Sequence, residues 1–161
     1  MRSPFIGIIG SGGVCTPSME ELAAEVGREV ARKGAVLVCG GLKGVMTAAA
    51  RGAKEIEGIT IGIIPGPDTS TANEYIDFPI ATNMGFGRNN IIVHTADVLI
   101  SIGGGYGTLS EIALALKAGK SVVALQPQFQ VAGIITVATA VDAVSEALTL
   151  IELGRKPVRV K

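Results

Sequence analysis

The segment Ser101-Ile-Gly-Gly-Gly-Tyr-Gly-Thr-Leu-Ser-Glu111 follows an apolar run and opens a helical pattern. Glycines at 103, 104, 105 and 107 permit positive φ and close backbone approach, and their amides meet a helix N-terminus, which attracts anions. Thr108 adds a hydroxyl, and Glu111 a carboxylate one turn further on. As chemistry, this is the phosphate end of a nucleotide site: Gly103, Gly104, Gly105, Gly107 and Thr108 hold the anion, and Glu111 stands beside it for reaction. The same residues have a plainer reading. Thr108-Leu-Ser-Glu111 is also a capping box, in which the two side chains satisfy backbone amides.

Other residues carry similar alternatives. Arg88 lies in Gly85-Phe-Gly-Arg-Asn89, where glycines before a helix expose its side chain either to a phosphate, which a guanidinium fork suits, or only to solvent. Gly10-Ser11-Gly12 opens like a dinucleotide fingerprint, but Cys15 stands where the last glycine belongs and no acidic residue ends the second strand, which argues against NAD. It reads as a tight strand-to-helix turn or as a contact to a ligand ribose or phosphate. Gly40-Gly41-x-x-Gly44 lacks the Gly-Lys-Ser/Thr ending of an NTP-binding loop, so Lys43 is not a Walker lysine, though the glycines still admit a ligand. His94, the lone histidine, falls near a helix end and reads as a surface or dipole-satisfying residue. No metal is expected, because His94, Cys15 and Cys39 lack ligand spacing. The cysteines are expected to be reduced.

These residues need elements to position them. Phe5–Gly10, Ala35–Cys39, Thr60–Ile64, Val98–Ile102 and Ser121–Leu125 are continuous apolar runs, the pattern of strands buried on both faces of a parallel sheet. Ser18–Lys33, Val45–Glu57, Arg88–Thr95 and Thr108–Ala118 carry apolar residues at three and four spacing, with Leu22, Val26 and Val30 as one stripe. Gly34 and Gly119 fall at expected helix C-caps. A strand at Ile134–Val137 and a helix at Ala140–Leu153 complete the set. The alternation predicts a doubly wound, mostly parallel α/β sheet with helices on both faces, Rossmann-like, in one domain spanning 1–161. Ligands of such sheets gather at the carboxyl ends of the strands, where four Gly- or Pro-rich loops converge. The connector Pro65–Glu74 has the composition of a mobile loop.

Composition excludes several partners. The chain has 161 residues, 48% of them hydrophobic, and 14 basic against 14 acidic residues. With no basic run before Arg155-Lys156, nucleic acid and anionic membranes are not expected partners. No apolar stretch is long enough to span a bilayer and no signal-peptide core follows Met1, so a cytoplasmic location is expected. A charged fraction of only 17% leaves apolar surface for a partner subunit, so a homo-oligomer is expected.

Gly40-Gly-x-x-Gly-Val-Met46, Gly85-Phe-Gly-Arg88-Asn89 and Gly103-Gly-Gly-Tyr-Gly-Thr-Leu-Ser-Glu111 occur in the order and spacing of the LONELY GUY-like (SLOG) family, which the chain resembles over nearly its whole length. The resemblance implies a Rossmann-like fold, a small phosphorylated ligand and assembly as a dimer or tetramer. In the hydrolases of that family a Pro-Gly-Gly-x-Gly-Thr-x-x-Glu motif binds phosphate and supplies the essential glutamate, and an arginine completes the site. Those roles fall here to Gly104, Gly105, Gly107, Thr108, Glu111 and Arg88. Gly103 replaces the proline, Gly85 the methionine and Asn89 the lysine of the hydrolase pattern. Some members are labelled lysine decarboxylases, but nothing marks a pyridoxal-phosphate lysine here and no cofactor is implied. Pro65-Gly-Pro-Asp-Thr-Ser70 and Arg88-x-Asn90 resemble a sister branch that contains a molybdenum-cofactor carrier protein.

Two functions follow from the resemblance. One is N-glycosidic hydrolysis of a nucleoside 5′-monophosphate, with Glu111 and Arg88 catalytic. The other is a carrier or sensor that holds a phosphorylated cofactor or nucleotide in the same cradle, with Asn89 among the binding residues. In both, Gly10, Ser11, Gly12, Gly40, Gly41 and Gly44 complete the binding loops.

Overall fold

The computed structural model describes residues 2–155, so Lys156 of the basic C-terminal pair lies outside them. The elements run β1 (Phe5–Gly10), α1 (Pro17–Arg32), β2 (Val36–Cys39), α2 (Val45–Lys54), β3 (Thr60–Ile64), β4 (Phe78–Ala81), α3 (Arg88–Thr95), β5 (Val98–Ile102), α4 (Tyr106–Lys117), β6 (Val122–Leu125), β7 (Ile135–Val137) and α5 (Ala140–Arg155). A single-turn 3-10 helix, Gly85–Gly87, precedes α3. The strands form one sheet in the order β4-β3-β2-β1-β5-β6-β7, every neighbouring pair parallel.

Strand residues alternate between two apolar layers, which is why their sequences read as unbroken hydrophobic runs. Ile6, Ile8, Leu37, Ile100, Ile102 and Leu125 pack in one layer with residues of α1, α2 and α5. Ile9, Val38, Ile63, Leu99 and Val122 pack in the other with residues of α3 and α4. The chain leaves β1 toward β2 on one side and returns from β4 to β5 on the other. The switch point of this doubly wound sheet therefore lies at the carboxyl ends of β1 and β5, where Gly10 aligns with Ile102.

On α1 the expected stripe faces inward, with Val26 and Val30 fully buried and Leu22 partly so. Thr16 caps this helix by accepting from the Met19 amide at 3.2 Å, and Pro17 occupies its first position, so it begins one residue earlier than expected. α1 and α2 pack backbone to backbone. A methyl group on Gly27 would strike the Ala49 carbonyl, and one on Gly52 would strike the Ala24 carbonyl.

Three further features differ from the sequence-based expectation for identifiable reasons. β4 was not anticipated: Phe-Pro-Ile-Ala is short, and its proline is tolerated only because the strand lies at the sheet edge. α2 stops at Lys54 and gives way to turns before β3. The connector from Pro65, mobile in composition, is fastened to the β2–α2 loop: the Asn73 amide donates to the Gly41 carbonyl and its side-chain Nδ2 to the Leu42 carbonyl, both at 2.8 Å. Among the described residues no helix is long and apolar enough to cross a membrane.

Candidate functional site

The N-terminus of α4 is built by its glycines. Gly103 donates its amide to the Leu125 carbonyl at 3.0 Å, anchoring the turn to β6. At Gly104 φ is +106°, and any Cβ there would run into the Thr108 side chain, so this position strongly favours glycine. The helix begins at Tyr106 with Gly105 as its N-cap and no capping side chain. Leu109, donating to the Gly105 carbonyl, makes the first helical bond. Among the described residues the amides of Tyr106, Gly107 and Thr108 have no internal acceptor, and they remain available to an anion.

This corrects the capping-box reading. The box required the helix to start at Thr108, but the glycine turn winds it earlier and leaves Thr108 and Glu111 as residues of the first two turns. Both side chains are released from capping duty. Thr108 is 4% exposed and Glu111 7%, and among the described residues neither accepts nor donates a side-chain hydrogen bond.

Arg88 begins α3 on the same face of the sheet and is 8% exposed. Its Nε donates to the Ile63 carbonyl at 2.9 Å, Nη1 to Asn89 Oδ1, and Nη2 reaches the Gly40 carbonyl at 3.5 Å. Gly40 is glycine because a Cβ there would lie 2.5 Å from that guanidinium. Burial lowers the pKa of Arg88, and the charge of Glu111 opposes the shift. Burial pushes Glu111 the other way, up to about 7, with Arg88 restraining the rise. A carboxyl in that range can take or give a proton near neutrality.

These groups share one cavity of about 500 Å³ at the sheet's switch point. Of the residues expected at the site, Gly10, Ser11, Gly12, Gly40, Arg88, Asn89, Gly105, Gly107, Thr108 and Glu111 line it. Gly41, Gly44, Gly103 and Gly104 do not. Their positive φ angles shape the loops from behind; a Cβ on Gly44, for instance, would meet the Ser11 carbonyl. The wall also contains Ile8, Ile9, Leu42, Lys43, Met46, Thr71 and Phe86, none of them assigned a site role from sequence. Ile8 and Ile9 read as core, and Thr71 as connector. Lys43 had a signal, its place between the glycines of the second loop, but the Walker comparison discarded it. His94 is exposed at the end of α3, as expected, and Cys15 and Cys39 are free thiols.

A parallel Rossmann-like sheet whose switch point holds a cavity lined by a helix N-terminus, a buried arginine and a carboxyl without a hydrogen-bond partner among the described residues defines a doubly wound α/β protein. The chain belongs to the SLOG cluster4 family, whose model matches residues 3–152. It is 46% identical over 149 residues to an uncharacterized protein of Archaeoglobus fulgidus, covering 92% of this chain and 97% of that one. Among solved structures, the molybdenum cofactor binding protein of Rippkaea orientalis superimposes with a TM-score of 0.89 at 37% identity, over 94% of this chain and 99% of that one. A shorter match, 38% over 95 residues, links 57% of this chain to 51% of the cytokinin riboside 5′-monophosphate phosphoribohydrolase of Mycobacterium tuberculosis. The family expected from the glycine and arginine motifs is thus the family found.

Proposed function

We propose that the cavity binds a phosphomonoester of nucleotide size and that the protein is a nucleoside 5′-monophosphate phosphoribohydrolase. The observation that carries this reading is the Glu111 carboxyl: buried, unbonded by protein among the described residues, and held near pKa 7 in the same cavity as the open amides of α4. A carrier needs no group poised for proton transfer, whereas N-glycosidic hydrolysis does. The phosphate sits on the amides of Tyr106, Gly107 and Thr108 with the Thr108 hydroxyl, where the helix dipole favours negative charge.

The bond between ribose C1′ and the base nitrogen then breaks, its electron pair leaving with the base, and water oxygen bonds to C1′. In its ionised form Glu111 stabilises the positive charge that develops on the ribose, accepts the water proton and passes it to the departing base, so that neutral base is released and the carboxylate is restored. Arg88 is fixed by protein oxygens, so it acts through its field, keeping Glu111 partly ionised at neutral pH. The experiment is incubation of purified protein with AMP, CMP, GMP and UMP, followed by chromatography for free base. Base release that disappears in Glu111→Gln supports the reading; equal release in that variant refutes the assigned role.

A second reading is a carrier or sensor of a phosphorylated cofactor in the same cradle. The 37% identity to the molybdenum cofactor binding protein, across nearly the full length of both chains, favours it. A phosphorylated ligand retained through purification, with no base released from any monophosphate, would decide for the carrier.

A further inference from the structure

We propose that Ser101 is a positioning residue for Glu111, its hydroxyl donating to the carboxylate and holding the ionised form in the cavity wall. This rests on the reading of Glu111 as the group that exchanges protons, and it names what steadies the charged form. Ser101 Oγ is the one buried side-chain polar atom without a hydrogen-bond partner among the described residues, and the residue is 0% exposed. An unpaired hydroxyl in a protein interior is costly. Its partner has to be protein, because Ser101 does not line the cavity and no ligand there reaches it.

The register of the sheet places this hydroxyl beneath Glu111. On β5, Val98, Ile100 and Ile102 pack with α1, α2 and α5, whereas Leu99 packs with α3 and α4. Ser101 therefore shares its face with Leu99 and points toward α3 and α4. Its neighbour across the ladder, Ile9, faces the same layer and lines the cavity together with Glu111. β6 is parallel to β5, so α4 runs back along the sheet from the strand ends. Thr108 stands at the top of that path, against Gly104 just past β5. Glu111 follows about 4.5 Å further along the helix axis, and a strand residue spans about 3.3 Å. Ile102 points into the opposite layer, so Ser101 is the first residue of β5 on the Glu111 side.

The other polar groups of this face are already occupied. Arg88 bonds to Asn89 and to the Ile63 and Gly40 carbonyls, so it gives Glu111 a field and no bond. Thr108 opens on the cavity, where the phosphate binds. Glu111 has no hydrogen bond to give up among the described residues. A neutral carboxyl can stay in such a layer unbonded, but an ionised one needs a donor. Ser101 supplies it. The ionisable groups around Glu111 are Arg88 on α3, Cys39 at the end of β2 and Lys43 in the cavity wall. His94 is exposed at the far end of α3 and does not line the cavity. Replacing Ser101 changes none of these charges.

The test is carbon-13 NMR titration of the glutamate carboxyls in the wild type and Ser101→Ala, with Glu111→Gln identifying the signal. The Glu111 midpoint should rise by about one pH unit in Ser101→Ala, the loss of one hydrogen bond to a charged group. The pH limb of base release should rise with it. At pH 5, where the hydroxyl has no ionised partner, the Ser101→Ala melting temperature should equal or exceed that of the wild type. At pH 9 it should fall below. An unchanged or lowered midpoint overturns the inference whatever the melting temperature does, and makes Ser101 only an unpaired hydroxyl. A raised midpoint with no base released by the wild type from any monophosphate sustains the bond between Ser101 and Glu111 and removes the hydrolase reading.

Discussion

Arg88 and Glu111 face one cavity without bonding to each other, and each moves the other's proton affinity through the field. The arginine is tied down by the Ile63 and Gly40 carbonyls and by Asn89, so its charge is fixed in place. The glutamate has no such restraint among the described residues, and its burial dominates its pKa. A fixed cation beside a buried carboxyl whose pKa is raised toward neutrality makes proton exchange a property of Glu111 alone.

Burial of Glu111 should destabilise the protein at alkaline pH. Its pKa rises from 4.5 to about 7 on folding, so between those values the folded state holds a proton that the unfolded state releases. Unfolding free energy therefore falls as pH rises through this window and levels off above about 7. The loss amounts to about 3–4 kcal/mol at most, on the order of 2.5 pH units at about 1.4 kcal/mol each. Glu111→Gln abolishes it. Urea denaturation at pH 5 and pH 8 should show a marked pH-dependent drop in the wild type that is smaller in the variant.

If Glu111 is the base, kcat/KM for a monophosphate should climb with pH through about 7. Arg88→Gln removes the charge that restrains this pKa, so the limb should move to higher pH with lower activity at neutrality. The glutamine keeps a donor for the carbonyls that the arginine serves, which limits the cost of leaving buried acceptors bare. A pH profile recorded for both proteins decides; an unmoved limb would mean that the titrating group is not Glu111.

Much of this was legible in the residues. The apolar runs from Phe5 and Val98 marked buried parallel strands because both their faces are covered, and that alternation placed the site at the strand ends. Arg88, Glu111 and Thr108 were legible because glycines flank them, and glycine clusters mark close approach. What sequence could not tell was which glycines face the cavity and which hold a loop from behind. Gly105 and Gly104 are neighbours of one type, yet Gly105 lines the cavity and Gly104 supports Thr108, a distinction set by where the helix starts. β4 was hidden by Pro79, and the place of Lys43 in the cavity wall by the mismatch of its glycine loop to a Walker motif. Thr71 reaches the wall only because Asn73 fastens its loop.

Gly104→Ala should separate the cradle from the rest of the fold. The added methyl meets the Thr108 side chain, and alanine strongly disfavours φ of +106°. A cost of about 1–3 kcal/mol is expected, relieved by shifting Thr108 and the first turn of α4. AMP affinity should fall while circular dichroism stays that of the wild type. Retained affinity would show that the turn is not what presents the amides.

Gly52→Ala is the complementary variant, because it strains the protein far from the cavity. Its methyl would press on the Ala24 carbonyl at the contact of α1 and α2, where the ridge of one helix has no room to yield. Helix propensity alone would favour alanine by about 1 kcal/mol, so the sign of the effect reports on packing. Overpacking costs about 1–3 kcal/mol and more where backbone is the obstacle, and it should win. The melting temperature should drop by several degrees, as expected for about 1–2 kcal/mol in a domain of this size. Ligand affinity below the melting transition should match the wild type, since none of the cavity wall comes from this contact. A rise in melting temperature would show that the two helices separate more easily than their backbone contact implies.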